Sequence, residues 1–215
     1  DAFDFDAEAE KFLNDELENI EAVKAGVHEI LAEIVGDNPS YREWIRTYTL
    51  NNANLVSEIK DESLDERQVY QMYYDFKSPI KKVQDHQVLA INRAEKEDVL
   101  KVSIVLDEDY VHRYLERELI HNPNSPVSGV LENAYKDAYQ RFIQPAIERE
   151  IRNSLSEKAQ AQAIEVFSEN LRNLLLQSPL KEKIVLGFDP AFRTGCKLAV
   201  VDQQGNVQTT SVIFP

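Results

Sequence analysis

From Ile20 to Val35 apolar residues recur at helical spacing. Val23, Val27, Ile30, Leu31 and Ile34 share one stripe, and Gly36-Asp37-Asn38-Pro39 predicts the end of the helix. Ser40 then caps a second helix, with Glu43 in the capping-box position and Trp44, Ile45 and Tyr48 on its apolar side. The pair reads as an ordinary helical hairpin. A helix-turn-helix would have only Arg42 and Arg46 to reach bases. Leu55–Ile59 fits either a short strand or the tail of that helix. His86–Glu97 predicts a helix with Val88, Leu89 and Ile91 inside. Val99–Val105 alternates and is rich in β-branched residues, so it predicts a strand whose nearby partner is Leu55–Ile59. Asp107 to Leu119 is a helix capped by Asp107. Ser128–Leu155 is the longest helical pattern, and Pro145 inside it forces a kink or starts a new helix. Ser156 opens another helix, with Ile164, Phe167, Leu171, Leu174 and Leu175 turned inward and Ser178-Pro179 at its end.

Past Lys183 the period changes. Ile184-Val185-Leu186 runs to Asp189, Lys197–Val201 runs to Asp202, and a third β-rich run, Gln208 to Phe214, follows the Gln204-Gly205-Asn206 turn. The fold class is therefore α+β. A mainly helical region, residues 1–180, carries a small β element. A truncated three-stranded antiparallel meander, residues 183–215, follows a short linker from Pro179 to Lys183. The meander leaves an unpaired edge, which helices or a neighbouring molecule should cover.

The formal net charge of −14 is unevenly placed. Residues 1–180 hold 35 acids against 20 bases, while residues 181–215 hold 3 against 4. Phosphate binding needs clustered Lys and Arg, so the charge as a whole argues against nucleic acid on this surface. Nine acids and one base lie in residues 1–22, which read as a solvated helical face with Phe5, Phe12 and Leu13 inward, or as an acidic protein-binding segment. The single cysteine excludes an intrachain disulfide and a Cys-based zinc site, and suits a reducing cytosol. No membrane-length apolar run and no signal peptide are visible, and a start at Asp rather than Met reads as a cut or processed end.

Four stretches carry candidate chemistry. Tyr70, Tyr73, Tyr74 and Phe76 would stack single-stranded bases or pack in the core with polar tips outward. Lys81, Lys82, Arg93, Lys96 and Lys101 make the most basic neighbourhood of the acidic part, a contact for phosphate or a solvated face. His112 and His121 lack the carboxylates and spacing of a metal site. Asp189 ends a strand, where a carboxylate binds a divalent ion or caps the turn through the Arg193, Thr194 and Gly195 amides. Two-metal cleavage needs further acids, and Asp202 belongs at the opposite edge of the sheet. Arg193 with Thr194-Gly195 would also cradle a phosphate, as in actin-like sugar kinases, though theirs is the more Gly- and Thr-rich loop. Cys196 reads as a buried strand residue.

GFDPAFRTGCKLAVVD, residues 187–202, resembles the start of the YqgF-type, ribonuclease-H-like domain of the Tex family of bacterial transcription accessory proteins. HQVLAINRAEKEDVLKV (86–102), IEREIRNSLSEKA (147–159) and YYDFKSPIKK (73–82) resemble the segments that precede that domain. The family usually has Gly where Ala191 and Ala94 stand, which implies a tighter loop at Ala191. The resemblance implies a central fragment of a larger cytoplasmic protein. Tandem helix-hairpin-helix motifs and an OB-fold RNA-binding domain would complete that protein. RNA or DNA would be bound through those other domains, with the transcription machinery as a partner. Asp189 then occupies the position of a metal-ligating carboxylate in ribonuclease-H-like nucleases, with Mg²⁺ implied only if the parent cleaves nucleic acid. For the chain itself the expectations are a scaffold role, no enzyme activity, and no cofactor. Nucleic-acid contacts would be limited to Lys81, Lys82, Arg93 and Arg193.

Overall fold

The computed structural model describes residues 4–14, 16–178, 180, 182–191 and 193–214. Pro179, expected to end the last helix, and Phe192 of the PAFRTG loop lie outside the described residues. The chain divides into two compact units, Asp1–Glu165 and Val166–Pro215.

The first unit is built on helices α1 (Phe5–Glu10), α2 (Ile20–Asp37), α3 (Pro39–Asn52), α4 (Asp85–Lys96), α5 (Glu108–Leu119), α6 (Ser128–Ala138) and the start of α7 (Gln144–Leu175). Residues 1–22 do not form one amphipathic helix. Asp4 caps the short α1 by accepting from the Asp6 and Ala7 amides, and Phe12 and Leu13 beyond it are exposed rather than inward. On α2 the buried residues are Val23, Ala32, Val35 and Gly36, and Ile30 and Ile34 of the expected stripe face solvent. Small residues explain the shift. A Cβ on Gly36 would lie 3.0 Å from the Phe142 ring, and Ala134 and Ala138 of α6 are fully buried, so these helices approach closely where side chains are absent. Asn38, not Ser40, caps α3. Its Oδ1 accepts from the Ser40 and Tyr41 amides, and Pro39 fills the first helical position, where no donor is needed.

Helix runs on through Pro145, and Ser156 starts nothing new. Between α6 and α7 the turn widens over Tyr139–Ile143, and the Gln144 amide reaches back five residues to the Tyr139 carbonyl. Pro145 cannot donate to Arg141, and the wider turn makes room for its ring. The Ser156 hydroxyl lies inside α7 and donates to the Arg152 carbonyl at 2.7 Å. The residues expected inward further along, Ile164, Phe167, Leu171, Leu174 and Leu175, are all exposed.

A three-stranded antiparallel sheet completes this unit, in the order β2-β1-β3, with β1 Asn54–Ile59, β2 Asp75–Pro79 and β3 Leu100–Val105. The Leu55–Ile59 run is thus a strand and pairs with β3 as expected, Leu55 against Ile104 and Ser57 against Val102. β2 was not foreseen. The core gathers Leu55, Val102, Ile104, Ile91, Val111, Leu115, Ile143 and Ile151. Glu148 of α7 accepts from the Ile104 amide at 3.1 Å and so occupies part of the free edge of β3.

The aromatic stretch is core. Tyr70 and Tyr73 are buried, Phe76 meets Tyr73 edge-on, and the hydroxyls of Tyr70 and Tyr74 donate to Glu97 and Asp65. Asp65 also accepts from the Val69 and Tyr70 amides, both at 2.8 Å. Burial alone would raise its carboxyl, but these three donors outweigh it and hold the group below the ordinary carboxylate range.

The second unit carries β4 (Val185–Asp189), β5 (Cys196–Val201) and β6 (Val207–Ile213), an antiparallel meander in the order β4-β5-β6. Its strands are more exposed than expected. Leu186 and Phe188 of β4 face solvent, every residue of β6 is exposed, and Cys196 is only half-buried.

Candidate functional site

Asp189 lies directly across from Lys197 of β5, and Val212 of β6 completes the row. The next row on the same face is Gly187, Ala199 and Thr210. These three are small, so the face has a dent there, a groove of about 580 Å³ that Phe188, Leu198 and Ser211 also border. A Cβ on Gly187 would touch only the Ala199 carbonyl, at 3.6 Å. The dent therefore reflects a missing side chain rather than a demand of the backbone.

Gly195 closes the β4–β5 connection differently. Its φ of +77° lies in the left-handed region, and a Cβ there would fall 2.8 Å from Val212 Cγ1 and 3.0 Å from the Ile213 carbonyl. Ala191 is not among the residues with positive φ, and Ala94 lies within α4. The expected turn cap is absent: no amide of Arg193, Thr194 or Gly195 donates to Asp189 among the described residues, and Arg193 is exposed in the loop. Asp202 sits at the other end of the sheet. There it accepts from the Asn206 amide at 2.8 Å, the Gln204 amide at 2.9 Å and the Gln208 side chain at 2.7 Å, and the Asn206 amide is the chief cause of its lowered carboxyl pKa.

A divalent ion at Asp189 would need further oxygen donors. Among the described residues no three His, Cys, Asp or Glu side chains come together, and Lys197 is the cross-strand neighbour of Asp189. Asp189 by itself supplies a single carboxylate ligand.

The other candidates lie in the first unit. Lys81 and Lys82 are exposed in the turn after β2 and have no ion pair among the described residues. Arg93 on α4 is held by Glu97 at 2.9 Å. The Arg93 hydrogen bond, and after it the Tyr70 hydroxyl, lower the Glu97 carboxyl. The two possible base readers of α3 are also engaged. Arg42 donates to the Gly36 carbonyl and pairs with Asp37, and Arg46 pairs with Glu150 at 2.7 Å. Arg152 grips Glu95 with both terminal nitrogens, which raises its pKa.

Tyr114, Trp44, Tyr48 and Tyr110 form a continuous stack. Ring centroids are 3.7, 5.2 and 5.2 Å apart and the planes lie within 8° of parallel. Arg117 sits over Tyr114 at one end, and Arg113 over Tyr110 at the other. The two i,i+4 pairs, Trp44 with Tyr48 on α3 and Tyr110 with Tyr114 on α5, are its signal in the sequence. The rings use their faces on one another, so the stack zips α3 to α5 and leaves mainly edges to solvent.

Two family patterns match the chain: the Tex central region-like pattern over residues 2–167 and the Tex protein YqgF-like domain over residues 183–215. Among curated relatives, the chain is 50% identical to the uncharacterized protein YdcI of Bacillus subtilis, over 97% of the chain and 30% of that protein. It is 30% identical to Protein tex of Bordetella pertussis, over 96% of the chain and 28% of that protein. It is 28% identical to human S1 RNA-binding domain-containing protein 1, over 92% of the chain and 21% of that protein. The chain thus spans less than a third of the length of these relatives. No helix among the described residues is long and apolar enough to cross a membrane. With its helical part matched from residue 2 to residue 167 and its meander matched to the YqgF-like domain, this chain belongs to the Tex family.

Proposed function

We propose that this chain is a scaffold segment of a cytosolic transcription accessory protein that binds RNA or DNA through its other domains, and that the chain alone catalyses no reaction. The observation that carries the reading is the Tex central-region match over residues 2–167. Two further facts support it. Relatives are named as a transcriptional accessory protein and as an S1 RNA-binding domain-containing protein. In this chain Arg42, Arg46, Arg93, Arg141 and Arg152 are each paired with a carboxylate, which weakens these five as phosphate ligands, and the net charge is −14. The test is the affinity of the isolated chain for single-stranded RNA as salt is varied. Weak binding is expected, and tight binding overturns the scaffold role.

A second reading is favoured by one observation, the Asp189 carboxylate at the rim of an open groove with no donor among the described residues. On that reading the parent is a metal-dependent nuclease that completes its carboxylate set elsewhere. It requires Mg²⁺- or Mn²⁺-dependent cleavage by the parent protein that Asp189→Asn abolishes. On the scaffold reading, Asp189→Asn leaves nucleic-acid binding by the parent unchanged, and no divalent ion elicits cleavage.

A further inference from the structure

Where α3, the start of α7 and β3 meet the widened turn at Tyr139–Ile143, a cavity of about 10 Å³ lies between them. Four aliphatic side chains line it together with Thr49, Tyr139, Gln144 and Glu148. Tyr139 is 2% exposed, yet its hydroxyl has no hydrogen-bond partner among the described residues. A buried hydroxyl left unbonded is costly, so it calls for a partner. Burial, and after it the Glu108 and Glu148 carboxylates, push its pKa well above the ordinary tyrosine value, so at neutral pH it is a donor. The other three polar side chains each bring an acceptor that no described residue uses. Glu148 accepts from the Ile104 amide through Oε1 at 3.1 Å, which leaves Oε2. Gln144 donates through Nε2 to Glu108 at 3.1 Å, which leaves its carbonyl oxygen. Thr49 donates to the Ile45 carbonyl at 2.7 Å, which leaves the lone pairs of its hydroxyl.

We propose that this cavity is the site of one structural water molecule, which accepts from the Tyr139 hydroxyl and donates to Glu148 Oε2 and to the Gln144 or Thr49 oxygen. Size and chemistry both select it. A cavity of about 10 Å³ is the least that holds a water, and it is too small for a larger ligand. One donor beside three acceptors suits a molecule that accepts one bond and gives two. A bare cation would leave the phenol proton without an acceptor. The water joins groups that direct bonds leave separate: Tyr139 in the widened turn, Gln144 and Glu148 on α7, and Thr49 on α3. Through Glu148 the bridge reaches the Ile104 amide, so it steadies the carboxylate that occupies the outer edge of β3.

The experiment is oxygen-17 relaxation dispersion of the solvent, which reports long-lived bound waters and does not respond to exchanging hydroxyl protons. The wild-type chain should show a dispersion. Thr49→Ile, whose longer apolar side chain fills the cavity, should lose the share of one water per chain. Tyr139→Phe keeps the ring and removes the donor. With Glu148 held less firmly, the Ile104 amide should then exchange with solvent about tenfold faster while the β1 amides keep their rates. A direct Tyr139–Glu148 bond would give that exchange effect with no dispersion in the wild type, and this outcome overturns the proposal. So does an equal dispersion in the wild type and a folded Thr49→Ile variant, or an Ile104 rate that Tyr139→Phe leaves unchanged. If Thr49→Ile does not fold, a crystal structure of the wild-type chain decides. A water within hydrogen-bond distance of the Tyr139 hydroxyl supports the site, and density without one overturns it.

Discussion

Leu115→Ala should cost the helical unit about 2–5 kcal/mol, with the upper part of that range expected. Leu115 is wholly buried on α5, one turn from the equally buried Val111. The cost of such a truncation depends on how far the surroundings can collapse into the space left behind. Here collapse is resisted. The ring stack of Trp44, Tyr48, Tyr110 and Tyr114 holds α5 against α3 at a spacing set by van der Waals contact between parallel rings. The helix cannot settle inward without breaking that stack, so most of the cavity should persist. Denaturant unfolding measures the loss as a lower midpoint at unchanged slope. A loss below about 1 kcal/mol would mean that α5 moves freely toward the core and that the stack does not brace it.

Gly195→Val should release the meander of the second unit. The position combines a φ of +77° with a Cβ site 2.8 Å from Val212 Cγ1 and 3.0 Å from the Ile213 carbonyl. The conformation alone costs a β-branched residue about 1–3 kcal/mol. The clash adds to this, because Cys196 pairs with Ile213 and that carbonyl cannot retreat without disturbing the β5–β6 ladder. Gly205 supplies the comparison. Its φ is +87°, but a Cβ there meets nothing within 4 Å, so Gly205→Ala carries only the conformational cost of about 1–2 kcal/mol. Hydrogen exchange should show the β4–β6 amides losing protection in Gly195→Val while those of α2 to α5 keep theirs. Equal protection of β4–β6 in Gly195→Val and Gly205→Ala would show that the close approach at Gly195 is not limiting.

The parts of the fold legible in the sequence are those where a strong local pattern coincides with what tertiary packing rewards. The meander follows from period-two alternation and the Asp202–Asn206 turn, and the β1–β3 pair from the need of an isolated strand for a neighbour. Asp107 caps α5 as its position suggests, with its Oδ1 accepting from the Asp109 amide. What is illegible depends on close approach. Hydrophobicity counts Ile30 and Ile34 and overlooks Ala32 and Gly36, yet the face that packs is the one whose small residues let Phe142 in. β2 is hidden because Lys77 and Pro79 are poor strand formers, and it is held by backbone pairing to β1. The break expected at Ser156 is absent because its hydroxyl bonds within the helix and to Asn92. Of the candidate site, the sequence places Asp189 at a strand end and Asp202 at the opposite edge. The dent beside Asp189 depends on Gly187, Ala199 and Thr210 sharing a row, and only strand register reveals that.

Titration of this chain with labelled single-stranded RNA at several salt concentrations tests its scaffold role most directly. With Arg42, Arg46, Arg93, Arg141 and Arg152 paired to carboxylates and a net charge of −14, the chain should bind no more tightly than about 100 µM near physiological salt, the weak end of non-specific affinity. A dissociation constant below about 1 µM that rises steeply with added salt, as several phosphates are neutralised, would contradict it and make this segment a nucleic-acid-binding surface in its own right.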